Sequence, residues 1–410
     1  MVAPLVMEFL IPTRTSRPSD DPIFSLNAEA RARSAAGESI INATVGALLD
    51  DEGRLSVMDG VAQALRDVPP AVVAGYAPIE GSPAFLDAVI GDILGNRPAA
   101  AWAVAVATPG GSGALRLAMA DFLDAGQSTL TTSYFWGPYR TIADELDRSL
   151  STFQMFDAKG RLDVADLERQ LARQIETQGR VLLIINSPCH NPTGYSFDPD
   201  EWRALVEVVG RAAERVPVTL LLDIAYARYG KRSLDEAVDI LLGLAGRALL
   251  LFAWSASKSF AEYGLRVGAL LAVHPDPQVR QRIRNALSYS CRGTWSNCNA
   301  GGMAAIARAL TDPELRARTE KERDALKTVL DRRVEVWNEL ATPLHLNYPR
   351  YEGGFFTTVF CDDAPDVAVR LKADGIFVVP LGKALRVALC SVAERDIPRL
   401  VQGIARHVTR

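Results

Sequence analysis

Lys258 ends an apolar run, Ala248-Leu249-Leu250-Leu251-Phe252-Ala253-Trp254, that passes into Ser255-Ala256-Ser257 and is followed closely by Arg266. An amine at the end of such a run can be held in a dry pocket. Burial lowers a lysine pKa, and a lysine that can lose its proton can form a Schiff base. Ser255, Ser257 and Arg266 supply what a phosphate needs, hydroxyl donors and a planar, permanently charged fork. A second anion device lies upstream. Thr108-Pro109-Gly110-Gly111-Ser112-Gly113 follows a strand-like run and opens a helical one. Its glycines let backbone approach an anion closely, the helix N-terminus offers unpaired N–H groups, and Ser112 adds a hydroxyl. No Gly-Lys-Ser/Thr follows, so this is not a nucleotide P-loop. Taken alone, each segment also reads as an ordinary strand end or tight turn.

Three further residues stand at the ends of apolar runs. Asp223 ends Thr219-Leu220-Leu221-Leu222, where a carboxylate is costly unless something positive meets it. A protonated ring nitrogen would meet it, and Tyr226 is placed to donate to an oxygen nearby. Asn191 lies in Asn186-Ser187-Pro188-Cys189-His190-Asn191-Pro192-Thr193-Gly194, and the proline after it biases it toward extended backbone, aiming its amide in a fixed direction. Trp136, in Tyr134-Phe135-Trp136-Gly137-Pro138-Tyr139, either stacks on a flat ring ligand or packs under a loop.

The elements that must position these residues alternate between strand-like and helix-like from Trp102 to Val273. Strands are expected at Trp102–Ala107, Ser128–Ser133, Ser151–Phe156, Val181–Ile185, Val218–Asp223, Ala248–Trp254 and Val267–Val273. Several are continuously apolar, as strands covered on both faces are. Helices are expected at Ala114–Leu123, Val164–Gln178 and Pro199–Arg215. The pattern is α/β, a mainly parallel sheet covered by helices. Every residue singled out above sits at a strand end, where open α/β sheets bind ligands. A long helix is expected over Pro313–Leu340. Beyond Thr342-Pro343 come a strand (Thr357–Cys361), a helix (Pro365–Asp374), short strands (Phe377–Pro380 and Leu385–Leu389) and a last helix from Ala393, a smaller α+β unit. The expected division is 1–54 as N-terminal arm and part of the small domain, 55–315 as the large domain, and 316–410 as the small domain with its linking helix. Residues 13–22 are turn-rich and read as an irregular arm.

With 410 residues, 48% hydrophobic and 23% charged, the composition is that of a soluble globular protein with a large core. A net charge of −4 without a basic run argues against nucleic acid. Five cysteines without a CxxC pair fit neither a disulfide framework nor a zinc site, which points to a reducing cytoplasm. Four scattered histidines speak against a histidine-based metal site. Met1 to Pro12 is too short and interrupted for a signal peptide or membrane helix, and no other apolar run reaches membrane-spanning length.

Taken in order, phosphate turn, aromatic, Asn-Pro-Thr-Gly, Asp-x-Ala-Tyr, Ser-x-Ser-Lys and arginine, the chain resembles the class I, fold type I, pyridoxal-phosphate aminotransferases of the aspartate/aromatic branch. Asn42-Ala43-Thr44-Val45-Gly46-Ala47 and Tyr76-Ala77-Pro78-Ile79-Glu80-Gly81 extend the likeness over nearly the whole chain. The resemblance implies pyridoxal 5′-phosphate as cofactor and ping-pong transamination between an amino acid and a 2-oxo acid. It makes Lys258 the Schiff-base lysine and proton carrier, and Asp223 the partner of the pyridine nitrogen. Asn191 and Tyr226 become donors to the phenolic oxygen, Trp136 the stacking ring, and Gly111, Ser112, Ser255, Ser257 and Arg266 the phosphate cup. Tyr76 would reach the phosphate of the other subunit, implying a homodimer with shared sites. Gly46, Trp136, Asn191 and Arg386 would face substrate, Arg386 clamping its α-carboxylate. Arg292 is either the ligand of a distal carboxylate across the dimer or a solvated loop charge. The same scaffold also supports lyase, decarboxylase or Cβ/Cγ-replacement chemistry. Departures from the family pattern fall at Gly110, where many relatives carry a hydroxyl residue, at Cys298-Asn299, where a proline is usual, and at Trp295 and Gly353-Gly354-Phe355-Phe356. They leave side-chain specificity open.

Overall fold

The computed structural model of the protein describes residues 9–18 and 22–408. Seven strands form one sheet: β1 (Ala103–Pro109), β2 (Ser128–Thr132), β3 (Ser149–Phe153), β4 (Val181–Asn186), β5 (Val218–Asp223), β6 (Leu249–Ser255) and β7 (Val267–Val273), in the order β1-β7-β6-β5-β4-β2-β3. All run parallel except β7, which is antiparallel to both its neighbours. All seven expected strands are present, and β3 begins two residues earlier than expected.

The sequence explains why this sheet is buried on both sides. In β4, Val181, Leu183 and Ile185 point into one apolar cluster while Leu182 and Ile184 point into another. The same division separates Leu220 and Leu222 from Leu221 in β5, and Leu250 and Phe252 from Leu251 in β6. Alternate side chains leave a strand on opposite faces, so a continuous apolar run supplies two cores at once.

The helix after β1 spans Gly110–Phe122, not Ala114–Leu123. The strand runs straight into it and the glycines form its first turn, an outcome that helix propensity alone disfavours. Gly110 takes φ +69°, a conformation costly for any residue with a Cβ. Helices Pro277–Thr294 and Ala300–Thr311, with no counterpart in the expected elements, complete the sheet's cover.

A second apolar cluster joins Ile41 and Ala43 to Val334, Trp337, Leu385, Val387, Leu400 and Ile404. The short strand Ile41–Asn42 pairs in parallel with Ile376–Phe377, so the N-terminal segment packs with the C-terminal unit. The expected strand Phe377–Pro380 is two pieces: Ile376–Phe377 joins the N-terminal strand, while Val379–Pro380 pairs with Ala384–Val387. A proline with no N–H to give limits the second piece. Helix Pro313–Ala341 is continuous, so the expected boundary at 315/316 falls inside its first turn. Of the expected arm, Pro12–Arg14 forms one 3-10 turn, Arg14 and Arg17 pair with Glu145, and residues 19–21 lie outside the described residues. Residues 1–8 of the apolar N-terminal stretch lie outside them too. Among the described residues no helix is long and apolar enough to cross a membrane.

Candidate active site

Parallel strands in register end together, and here their carboxyl ends set Asn186 and Asp223 side by side, with Ser255 just beyond on the next strand. Asn186 is the register partner of Asp223, which lies beside Ala253, two residues before Ser255. A cavity of about 510 Å³ opens above this row. Its lining gathers Gly46, Gly111, Ser112, Trp136, Asn191, Asp223, Tyr226, Ser255, Ser257, Lys258, Arg266 and Arg386. These are twelve of the fourteen residues singled out in the sequence, drawn from segments up to 340 residues apart. The other two stand elsewhere on this chain. Tyr76 is 95% exposed, and Arg292, near the end of Pro277–Thr294, donates to Ser296 Oγ at 2.6 Å.

Lys258 sits in the single helical turn Ala256–Ser259, capped by the Ser255 side chain, which accepts from the Ser257 N–H. Its Nζ lies 4.4 Å from the centre of the Tyr263 ring, and Tyr229 OH donates to its carbonyl at 3.0 Å. Burial pulls the amine down to about 8, offset in part by Cys390 and Asp223 and reinforced by Arg266. Asp223 is buried, which pushes its carboxyl above the ordinary value. Its Oδ2 accepts from Tyr139 OH at 2.7 Å and its Oδ1 from the Ala225 N–H at 3.2 Å. Those donors and the Lys258 charge favour the ionised form against that burial.

Asn186, unassigned in the sequence, ties the row together: its amide donates to the Asp223 carbonyl at 2.8 Å and accepts from the Asn191 N–H at 2.6 Å. Asn191 Nδ2 donates to Tyr226 OH at 3.3 Å, while Asn191 Oδ1 is buried without a hydrogen-bond partner. The loop between them carries cis peptide bonds at Ser187-Pro188 and Asn191-Pro192.

An anion cradle faces Lys258. Gly111 and Ser112 lie in the first turn of helix Gly110–Phe122, where backbone N–H groups have no intrahelical partner. Arg266 Nη1 donates to Ser257 Oγ at 3.1 Å and to the Tyr263 carbonyl at 3.0 Å, and its Nη2 donates to the Pro109 carbonyl at 3.3 Å. A Cβ on Gly110 would lie 2.3 Å from Arg266 Nη2, and one on Gly268 would lie 2.5 Å from the Gly110 carbonyl carbon. The departure at Gly110 thus has a local reason: with Arg266 where it stands, no side chain fits.

From the smaller unit, Arg386 donates to the Thr44 carbonyl at 2.5 Å and lies 4.8 Å from the centre of the Phe356 ring. Gly46 is pressed against the same ring, with its Cβ position 2.4 Å from Phe356 Cζ. Ile23, Phe24 and Leu55 give the cavity an apolar border. No spacing in the sequence marks these three, because they reach the cavity through tertiary packing. Tyr139, Asn186 and Phe356 did carry a signal, lying inside motifs already singled out.

An amine of lowered pKa and a buried carboxylate at adjacent strand ends, beside an anion cradle and a buried guanidinium, define a cofactor-dependent enzyme site on an α/β fold. The chain belongs to the aminotransferase class I and II family, whose model matches residues 38–404. It is 29% identical over 399 residues to the aspartate aminotransferase of Pseudomonas aeruginosa, covering 94% of this chain and 96% of that one. It is 27% identical over 392 residues to the aromatic-amino-acid aminotransferase of Paracoccus denitrificans, with the same two coverages. A crystal structure of an aminotransferase from Anaerococcus prevotii superposes with a TM-score of 0.93 at 31% identity, over 98% of this chain and 100% of that one.

Proposed function

We propose that the cavity binds pyridoxal 5′-phosphate at Lys258 and that the enzyme moves an amino group between an L-amino acid and a 2-oxo acid in two half-reactions. The observation that carries this is the convergence of Lys258, Asp223, Arg266 and Arg386 on one cavity. The residues fit the group. The cradle of Gly111, Ser112, Ser255, Ser257 and Arg266 matches a phosphate, Asp223 matches a cationic ring nitrogen, and Tyr226, whose oxygen accepts from Asn191 Nδ2, lines the cavity as the donor for a ring oxygen. When bound, the cofactor supplies a carbonyl that takes up the amino group and a protonated ring that draws electrons from the substrate Cα.

The chain's own residues do the rest. Lys258 takes a proton at Nζ and returns it. Asp223 would hold positive charge on a bound ring nitrogen, and Trp136, which lines the same cavity, would pack against the ring. Tyr226 accepts from Asn191, so its own hydroxyl hydrogen is left to donate into the cavity. Arg386, held by Thr44 and Phe356, presents a fork suited to an α-carboxylate beside Gly46.

The donors are amino acids of the aspartate, glutamate or aromatic type, with a 2-oxo acid such as 2-oxoglutarate as acceptor. The enzyme works as a homodimer in which Tyr76 reaches the partner's phosphate cradle and Arg292 its substrate. The exposed apolar side chains of Val72, Val73, Tyr76 and Tyr289 support such an interface. The apolar clusters support a division near 54, with Ile41 and Ala43 in one and Met58 and Val61 in the other, and place the second division within helix Pro313–Ala341, between Leu326 and Val334 rather than at 315. A cytoplasmic setting accords with cysteines that are all free.

The test is a half-reaction screen of the purified enzyme against single amino acids, followed by cofactor absorbance. Aspartate and glutamate are expected to convert the cofactor to its amine form, and Arg292→Ala to raise their KM far more than that of an aromatic donor. Release of ammonia or CO2 instead of the 2-oxo acid contradicts transamination. If both dicarboxylates fail and Arg292→Ala changes nothing, the role given to Arg292 is wrong. A second expectation concerns pH. Only a neutral amine attacks a carbonyl, so reconstitution of cofactor-free enzyme accelerates about tenfold per pH unit below about 8 and levels off above it. A rate flat across that range would mean that Lys258 is not the acceptor.

A further inference from the structure

We propose that Tyr139 is a positioning residue that keeps Asp223 ionised, so that the proton between Asp223 and the cofactor's ring nitrogen stays on the nitrogen. The inference rests on the role of Asp223 given above. Tyr139 does not line the cavity and acts through Asp223. Its hydroxyl donates to Asp223 Oδ2 at 2.7 Å, and both side chains are buried. The placement is local in origin. Pro138 opens helix Pro138–Glu145 with its missing N–H at a position that needs none, which sets Tyr139 in the first turn. There its ring meets the Trp136 ring edge to face, with centroids 5.7 Å apart and planes at 88°. One side chain thus orients both the stacking indole and the carboxylate beneath it.

The electrostatics follow from the geometry. Burial makes Asp223 a stronger base than an ordinary carboxylate, and among the groups opposing that effect the Tyr139 hydroxyl is the largest, ahead of the Ala225 N–H and Lys258. Tyr139 itself is pushed well above its ordinary value, by burial first and by Asp223 next, so it remains a donor at any working pH. A carboxylate stripped of this donor pulls harder on a proton shared with a pyridine nitrogen. The shared proton then moves to the carboxylate, leaving a neutral acid against a neutral ring. A neutral ring is the weaker electron sink.

The experiment compares the wild-type holoenzyme with Tyr139→Phe, each loaded with cofactor carrying 15N in the ring. Phenylalanine keeps the ring and its edge contact with Trp136, so only the hydroxyl is lost. The wild-type nitrogen resonance is expected in the protonated range and that of Tyr139→Phe displaced toward the unprotonated range. The amino-donor half-reaction is expected to slow by about tenfold or more, the usual size of a hydrogen bond to a charged group, with KM for the donor little changed. A slowed variant whose nitrogen resonance matches the wild type overturns the proposal and leaves Tyr139 a packing residue. An unprotonated nitrogen in the wild type itself overturns the reading of Asp223 and this inference with it.

Discussion

Lys258→Ala lowers turnover by at least about a thousandfold while the protein stays folded. General acid–base catalysis by one positioned group is worth about 10²–10⁴-fold, and here the same amine also releases product from the cofactor. The fold does not depend on it. Its close neighbour at Nζ is the Tyr263 ring, not a carboxylate, and its charge opposes burial. Removing it therefore relieves a desolvation cost and opens only a modest space at the edge of an existing cavity. Stopped-flow comparison of the amino-donor half-reaction, alongside the thermal midpoint of the cofactor-free protein, separates the two effects. A variant with near-normal turnover would mean that another base moves the proton.

Asp223→Asn comes second, with a loss of roughly 10²–10³-fold, the size seen when one preorganised group that stabilises transition-state charge is removed. The isosteric amide keeps the shape of the β5 end and leaves an oxygen or nitrogen opposite Tyr139 OH, but it holds no negative charge for the ring nitrogen. Stability changes in the opposite sense to activity. The buried Asp223 carboxyl is raised, so the folded state binds the proton more tightly than the unfolded one. Its contribution to stability is therefore fully present below the ordinary carboxylate range and is lost as pH rises through the raised value. The amide has no such titration, so at neutral pH the cofactor-free variant should be no less stable than the cofactor-free wild type, while the loaded variant is far slower. A slow variant that is also markedly unstable would assign Asp223 a structural role instead.

Most of the site was legible because each of its residues ends an apolar run, and strand ends of a parallel sheet meet in space. That logic located Asp223, Ser255 and Lys258 from β5 and β6 alone. It could not predict where Gly110 belongs, since glycines disfavour helix and its positive φ together with the approach of Arg266 is visible only in the folded chain. Nor could it find Ile23, Phe24 and Leu55, whose places on the cavity border depend on how the N-terminal helix Pro22–Ala35 lies against the rest. Tyr139 was in plain view three residues after Trp136, yet its partner is 84 residues away, and hydrogen bonds of that range leave no local pattern. The split of Phe377–Pro380 was hidden for a similar reason: its first half pairs with a strand more than 330 residues earlier.

The central claim is that Lys258 is the residue that carries the cofactor and moves the proton. Borohydride reduction of the holoenzyme, followed by proteolysis and mass spectrometry, tests it most directly. The cofactor mass is expected on the peptide containing Ser257-Lys258-Ser259 and nowhere else, and adding an amino donor before reduction should abolish it. Label on any other lysine, or label at Lys258 that an amino donor does not displace, would contradict the account.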